Sequence, residues 1–83
     1  MGSLKDHRKK IDRIDRKIAK LLLLRFGAVK RISSIKKLGN RKITDKKRES
    51  EVLSNVKKNS KQHQRFILDV FKKIIMYSKK IQK

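Results

Sequence analysis

Between Ile11 and Ile35, apolar residues recur in alternating steps of three and four, at Ile11, Ile14, Ile18, Leu21, Ala28, Ile32 and Ile35. This spacing sets them along one stripe of a helix that buries itself against partners. Position 25 belongs to the same series, and it is an arginine. A cation aimed into a core is costly unless something pairs with it. Either Arg25 carries its guanidinium to the edge of a coiled coil, or the seam encloses a site for an anion. The stripe alone leaves both readings open.

The pattern predicts an all-α chain of three helices. The first begins near Leu4 to Asp6, where Asp6 suits a cap or complements the positive N-terminal end. It runs to about Lys37, and Gly39 and Asn40 supply the stop. Roughly 33 residues at about 1.5 Å each make a rod of about 50 Å, whereas a compact chain of this length is only about 30 Å across. The helix overshoots its own domain, so a second copy is expected to bury the remainder in an intertwined six-helix homodimer. Gly27 falls inside this helix at a cost of about 1 kcal/mol relative to alanine, and its one apparent use is the close approach of a neighbour. After a polar loop from Leu38 to Thr44, a second helix starts at Thr44 or Asp45, turns Val52, Leu53 and Val56 inward, and ends in the polar tract Lys57 to Gln64. A third runs from Gln64 to Ile81 with its stripe at Ile67, Phe71, Ile74, position 78 and Ile81. Position 78 is a serine, and Gln82 lies one turn beyond it on the same face.

Charge changes the picture next. Twenty-seven Lys and Arg against seven Asp and Glu give a net charge of +20, which attracts any polyanion. The cations are spread along the whole chain, and the single Tyr and three Phe occupy apolar positions instead of interleaving with them. That suits a solvated basic surface with nonspecific polyanion binding, and no specific nucleic-acid site. Cysteine is absent, which excludes disulfides and thiolate metal sites and makes a reducing, cytoplasmic setting the default. His7 and His63 have no metal-ligand spacing, and no Gly-rich phosphate loop occurs, so neither metal nor cofactor is expected. The longest apolar run, Leu21 to Leu24, is too short for a membrane span. Met-Gly-Ser at 1–3 looks like an expression remnant ahead of a single domain over 4–83.

The remaining polar residues group by spacing. Arg25 and Lys36 are eleven apart, which brings them within about 20° of one face and about 16 Å along the axis. Asp45, Arg48 and Glu49 share one face of the second helix. Two helices thus put polar groups where their own periodicity calls for core. A pocket of cations, a carboxylate, a serine and an amide has no nucleophile paired with a base and no Gly-rich phosphate loop. It suits holding a small polyanion and surrounding it with donors. Spacing alone serves equally well for intrahelical ion pairs on a solvated surface.

The run Arg8-Lys-Lys-Ile-Asp-Arg-Ile-Asp15, followed by Ile18, Leu21, Leu22, Arg25, Val29 and Lys36, then Ile43-Thr-Asp-Lys-Lys-Arg-Glu49 and Ser78-Lys-Lys-Ile-Gln82, resembles the all-helical class of chorismate mutase. The resemblance spans about Leu4 to Gln82 and rests on eight polar positions in the family's order and spacing. It implies an isomerase of aromatic amino-acid biosynthesis, working as a homodimer with two sites, each completed by one arginine from the other chain. Arg8 matches that arginine. By position, Arg25 and the partner's Arg8 would grip the two carboxylates of chorismate, with Arg48 and Ser78 adding contacts. Lys36 and Gln82 would donate to the ether oxygen of the breaking bond, and Glu49, with backbone near Asp45, would hold the ring hydroxyl. An isochorismate-pyruvate lyase has the same fold, though Glu49 and Ser78 favour the mutase; a basic helical nucleic-acid-binding protein would follow from charge alone. The near loss of acids from the surface departs from the family's usual balance.

Overall fold

A computed structural model of the chain describes residues 2–38 and 45–82, and the side chains of Lys37 and Leu38 are left aside. Three helices follow in order: α1 (Leu4–Leu38), α2 (Lys46–Lys58) and α3 (Gln64–Lys80). The described residues contain no strand.

Each helix start has a local cause. At α1, the Asp6 amide donates to Ser3 Oγ and the Ser3 amide donates to Asp6 Oδ2, both at 3.2 Å, a reciprocal capping box. Asp6 therefore closes the cap, and Ser3, within the presumed remnant, provides it. At α2, Asp45 is extended (φ −130°, ψ 93°) and its Oδ1 accepts the Arg48 amide at 3.0 Å; of the two expected N-caps, Thr44 lies outside the described residues. So do the stop at Gly39 and Asn40 and the remainder of the expected loop. α2 continues through Lys58, into the tract expected to be connection, because its last carbonyls find partners. Asn59 Nδ2 donates to Asn55 O, Ser60 Oγ to Val56 O and Gln64 Nε2 to Lys57 O. His63 then turns the chain in the left-handed region (φ 56°) into α3, which ends one residue before the expected Ile81.

The rod length is as expected. Thirty-five residues at about 1.5 Å make about 52 Å, and the longest dimension of the molecule is 56 Å. Helices of 13 and 17 residues cannot cover such a rod. Only the C-terminal half of α1 meets α3, through Phe26 edge-on to Tyr77 with ring centroids 4.9 Å apart, Arg25 on Ser78 and Ser33 on the end of the chain.

The face of α1 turned to its own chain is Leu22, Arg25, Phe26, Val29, Ser33 and Lys36, all half-buried or buried. It shares only Arg25 with the expected stripe. Ile11, Ile14, Ile18 and Leu21 remain 55, 45, 51 and 63% exposed. In α2, Val52, Leu53 and Val56 are half-buried, like Ile67, Phe71 and Ile74 of α3, and Ile75 is the one buried apolar side chain among the described residues.

Apart from the adjoining turns of its own helix, nothing in the chain comes within 4 Å of a Cβ built on Gly27, so no close approach within the chain explains this glycine. Gly27→Ala should therefore add about 1 kcal/mol of helix stability and raise the melting temperature by about 4–8 °C, read by thermal circular dichroism. A lower melting temperature would mean that another molecule packs there.

Candidate active site

The two polar departures from apolar periodicity meet. Arg25 Nη1 of α1 donates to Ser78 Oγ of α3 at 2.8 Å, and Ser78 Oγ in turn donates to Ile74 O at 2.7 Å. Ser78 is buried, as is Gln82 one turn later. Arg25 is held below the usual arginine range, first by burial and then by the like charge of Arg48. Loss of hydration and a second cation raise its free energy, and an anion bound beside it would offset that cost.

The end of α3 is tied down on both sides. Ser33 Oγ donates to Gln82 O at 2.9 Å, and Gln82 Nε2 donates to Ser78 O at 3.2 Å. The Gln82 amide keeps one Nε2 hydrogen for another acceptor, and its Oε1 is buried without a hydrogen-bond partner. On the α2 side, Glu49 Oε1 lies 2.9 Å from Lys79 Nζ of α3, while Glu49 Oε2 is buried and unpartnered. Arg48 pairs with Glu51 at 3.3 Å, both well exposed. The intrahelical ion-pair reading thus holds for Arg48, at tenths of a kcal/mol, and not for Glu49.

These residues surround a cavity of about 270 Å³, just under the roughly 300–1,000 Å³ usual for ligand sites. Arg25, Lys36, Asp45, Arg48, Glu49, Ser78 and Gln82 all line it. Its apolar wall of Val29, Ile32, Val52 and Ile75 lowers the local dielectric, which strengthens charge contacts inside. Arg25, Lys36, Arg48 and Lys79 oppose Asp45 and Glu49, a surplus of two positive charges. Arg8 is elsewhere. It is exposed on the N-terminal part of α1, seventeen residues and so about 25 Å along the axis from Arg25. No group of His, Cys, Asp and Glu suited to a metal occurs among the described residues.

Comparisons with known proteins bear on what such a donor-lined, positively charged cavity serves. The family described as chorismate mutase type II matches residues 7–83. The chain belongs to this family. The chorismate mutase of Methanocaldococcus jannaschii is 34% identical over 83 residues, covering 96% of this chain and 84% of that protein. As a type II chorismate mutase the protein is an isomerase with an all-helical domain, in agreement with its three helices. No helix among the described residues is long and apolar enough to cross a membrane.

Two polar residues of this chorismate mutase domain carry no signal of their role in the sequence. Lys79 is one lysine among many, and its pairing with Glu49 joins two helices whose register the sequence does not reveal. Ser33 is off the isoleucine stripe, although it follows Val29 by four and precedes Lys36 by three, which puts it on the face that turns inward.

Proposed function

We propose that the cavity binds chorismate and rearranges it to prephenate, with its second carboxylate clamp supplied by a second copy of the chain. The observation that carries this reading is the Arg25–Ser78 contact of 2.8 Å, which fixes a half-buried guanidinium inside a cavity whose surplus of positive charge a dicarboxylate neutralises. Arg25 and Arg8 of the partner subunit each hold one carboxylate, since the planar fork of arginine matches that group, and Arg48 and Ser78 add contacts. Lys36 and the remaining Nε2 hydrogen of Gln82 donate to the ether oxygen, where negative charge develops as its bond to carbon breaks. Glu49 Oε2, buried and unpartnered, accepts from the ring hydroxyl next to the capped turn at Asp45.

The rearrangement breaks one carbon–oxygen bond and forms one carbon–carbon bond in a single cyclic shift of electrons. It needs neither proton transfer nor cofactor. Catalysis then consists of holding a flexible dianion in its compact reactive conformer and stabilising the ether oxygen. A million-fold acceleration corresponds to about 8 kcal/mol, within reach of two charged clamps and two preorganised donors.

Dimerisation is supported by surface area. The chain exposes 7686 Å², about 2,500 Å² more than the roughly 5,200 Å² of a compact monomer of this mass. The excess is of the size that obligate dimers bury. The exposed Ile11, Ile14 and Ile18 of α1 lie on the same half of the rod as Arg8, so pairing of the long helices covers the isoleucines and delivers the arginine. A cysteine-free chain fits the cytoplasm.

Subunit mixing tests the shared site. Arg8→Ala and Arg25→Ala dimers should each be inactive. Once unfolded and refolded together, they should recover about one quarter of wild-type activity, because half the dimers are mixed and each contains one intact site. Recovery of nothing would place Arg8 in the site of its own chain, and an active Arg8→Ala dimer would place it outside the site.

A further inference from the structure

We propose that Lys79 is a positioning residue of the reaction, pinning Glu49 so that Glu49 Oε2 faces the substrate hydroxyl. The inference rests on the role given to Glu49 above. Glu49 is the only carboxylate of the cavity wall without a backbone partner, since Asp45 is committed to capping α2. A glutamate side chain has three rotatable bonds, so a hydroxyl acceptor at its tip is poorly defined unless held. Lys79 Nζ holds it at 2.9 Å through Oε1. The other oxygen is left buried without a partner, a state that costs free energy until a donor arrives.

The contact also ties together the two halves of the cavity. Lys79 follows Ser78 directly, so consecutive residues of α3 fix Arg25 of α1 and Glu49 of α2. One turn of α3 thereby sets the spacing between a carboxylate clamp and the hydroxyl acceptor.

Charge cancellation alone and pinning predict different results. A charge effect acts on any dianion whether or not Glu49 is present, so its loss is additive with loss of Glu49. Pinning works through Glu49 and disappears with it. In the purified full chain, with chorismate as substrate, Lys79→Met should lower kcat/KM about 10- to 100-fold, and Lys79→Arg should return most of it. In a Glu49→Ala background, Lys79→Met should change kcat/KM less than about 3-fold. An additive double variant, or a Lys79→Met enzyme with unchanged kcat/KM, overturns the role of Lys79 while leaving that of Glu49 in place. A Glu49→Ala enzyme as active as wild type overturns the Glu49 reading itself. Helix content by circular dichroism is read alongside, and Lys79→Gln, whose uncharged amide stops short of Glu49 Oε1, replaces Lys79→Met if the latter unfolds. The expectations for it are the same.

Discussion

Arg25→Leu should eliminate turnover and leave the protein as stable as before or more so. The two effects have one cause. Arg25 occupies a position where the helix periodicity wants an aliphatic side chain, and burial together with Arg48 works against its charge. Replacing a desolvated ion by a well-packed apolar residue is often neutral or stabilising. Ser78 loses a donor but keeps its own bond to Ile74 O, so no buried hydroxyl is stranded. The same change removes one carboxylate clamp. At about 3–4 kcal/mol for a charged, preorganised contact, kcat/KM should fall by about 10²–10³-fold. Thermal unfolding and initial rates on one preparation check both halves. A purely structural arginine would show the gain in stability with no loss of rate.

Lys36→Ala should be nearly as damaging, with a different kinetic signature. Its ammonium is assigned to the ether oxygen, where charge appears only as the bond breaks. Interactions made only in the transition state raise kcat, whereas uniform binding sets KM. Loss of such a donor costs about 10²–10³-fold in kcat, with a smaller change in KM. Arg25→Leu, by contrast, should raise KM strongly, since a carboxylate clamp acts on bound substrate as well. Initial rates across a range of chorismate concentrations separate the two. A Lys36→Ala enzyme with normal kcat and raised KM would move Lys36 to the carboxylates.

Much of this was legible in the residues, and the reasons are local. Arg25 and Ser78 could be singled out because each interrupts an apolar series on its own helix, and they turn out to be 2.8 Å apart. Gln82 followed from lying one turn after Ser78, and the two are hydrogen bonded. Asp45, Arg48 and Glu49 share a face by spacing, and all three border the cavity. The length of α1 was legible because no breaker falls between Leu4 and Leu38 beyond Gly27.

What could not be read was pairing between helices. Periodicity reports that a stripe is apolar, not which neighbour it meets. On α1 the stronger stripe, from Ile11 to Leu21, stays exposed in the single chain, and the weaker one through Leu22, Phe26 and Val29 faces α3. Glu49 pairs across to Lys79 and not along its own helix to a residue three or four away. In a chain with twenty-seven Lys and Arg, nothing in composition marks Lys79 apart from the others.

The central claim is that this cavity turns over chorismate, and the disappearance of chorismate absorbance with purified protein tests it most directly. The account predicts a saturable, protein-dependent loss yielding prephenate that wild type shows and Arg25→Leu does not. Loss no faster than in buffer, or equally fast with both proteins, would contradict it.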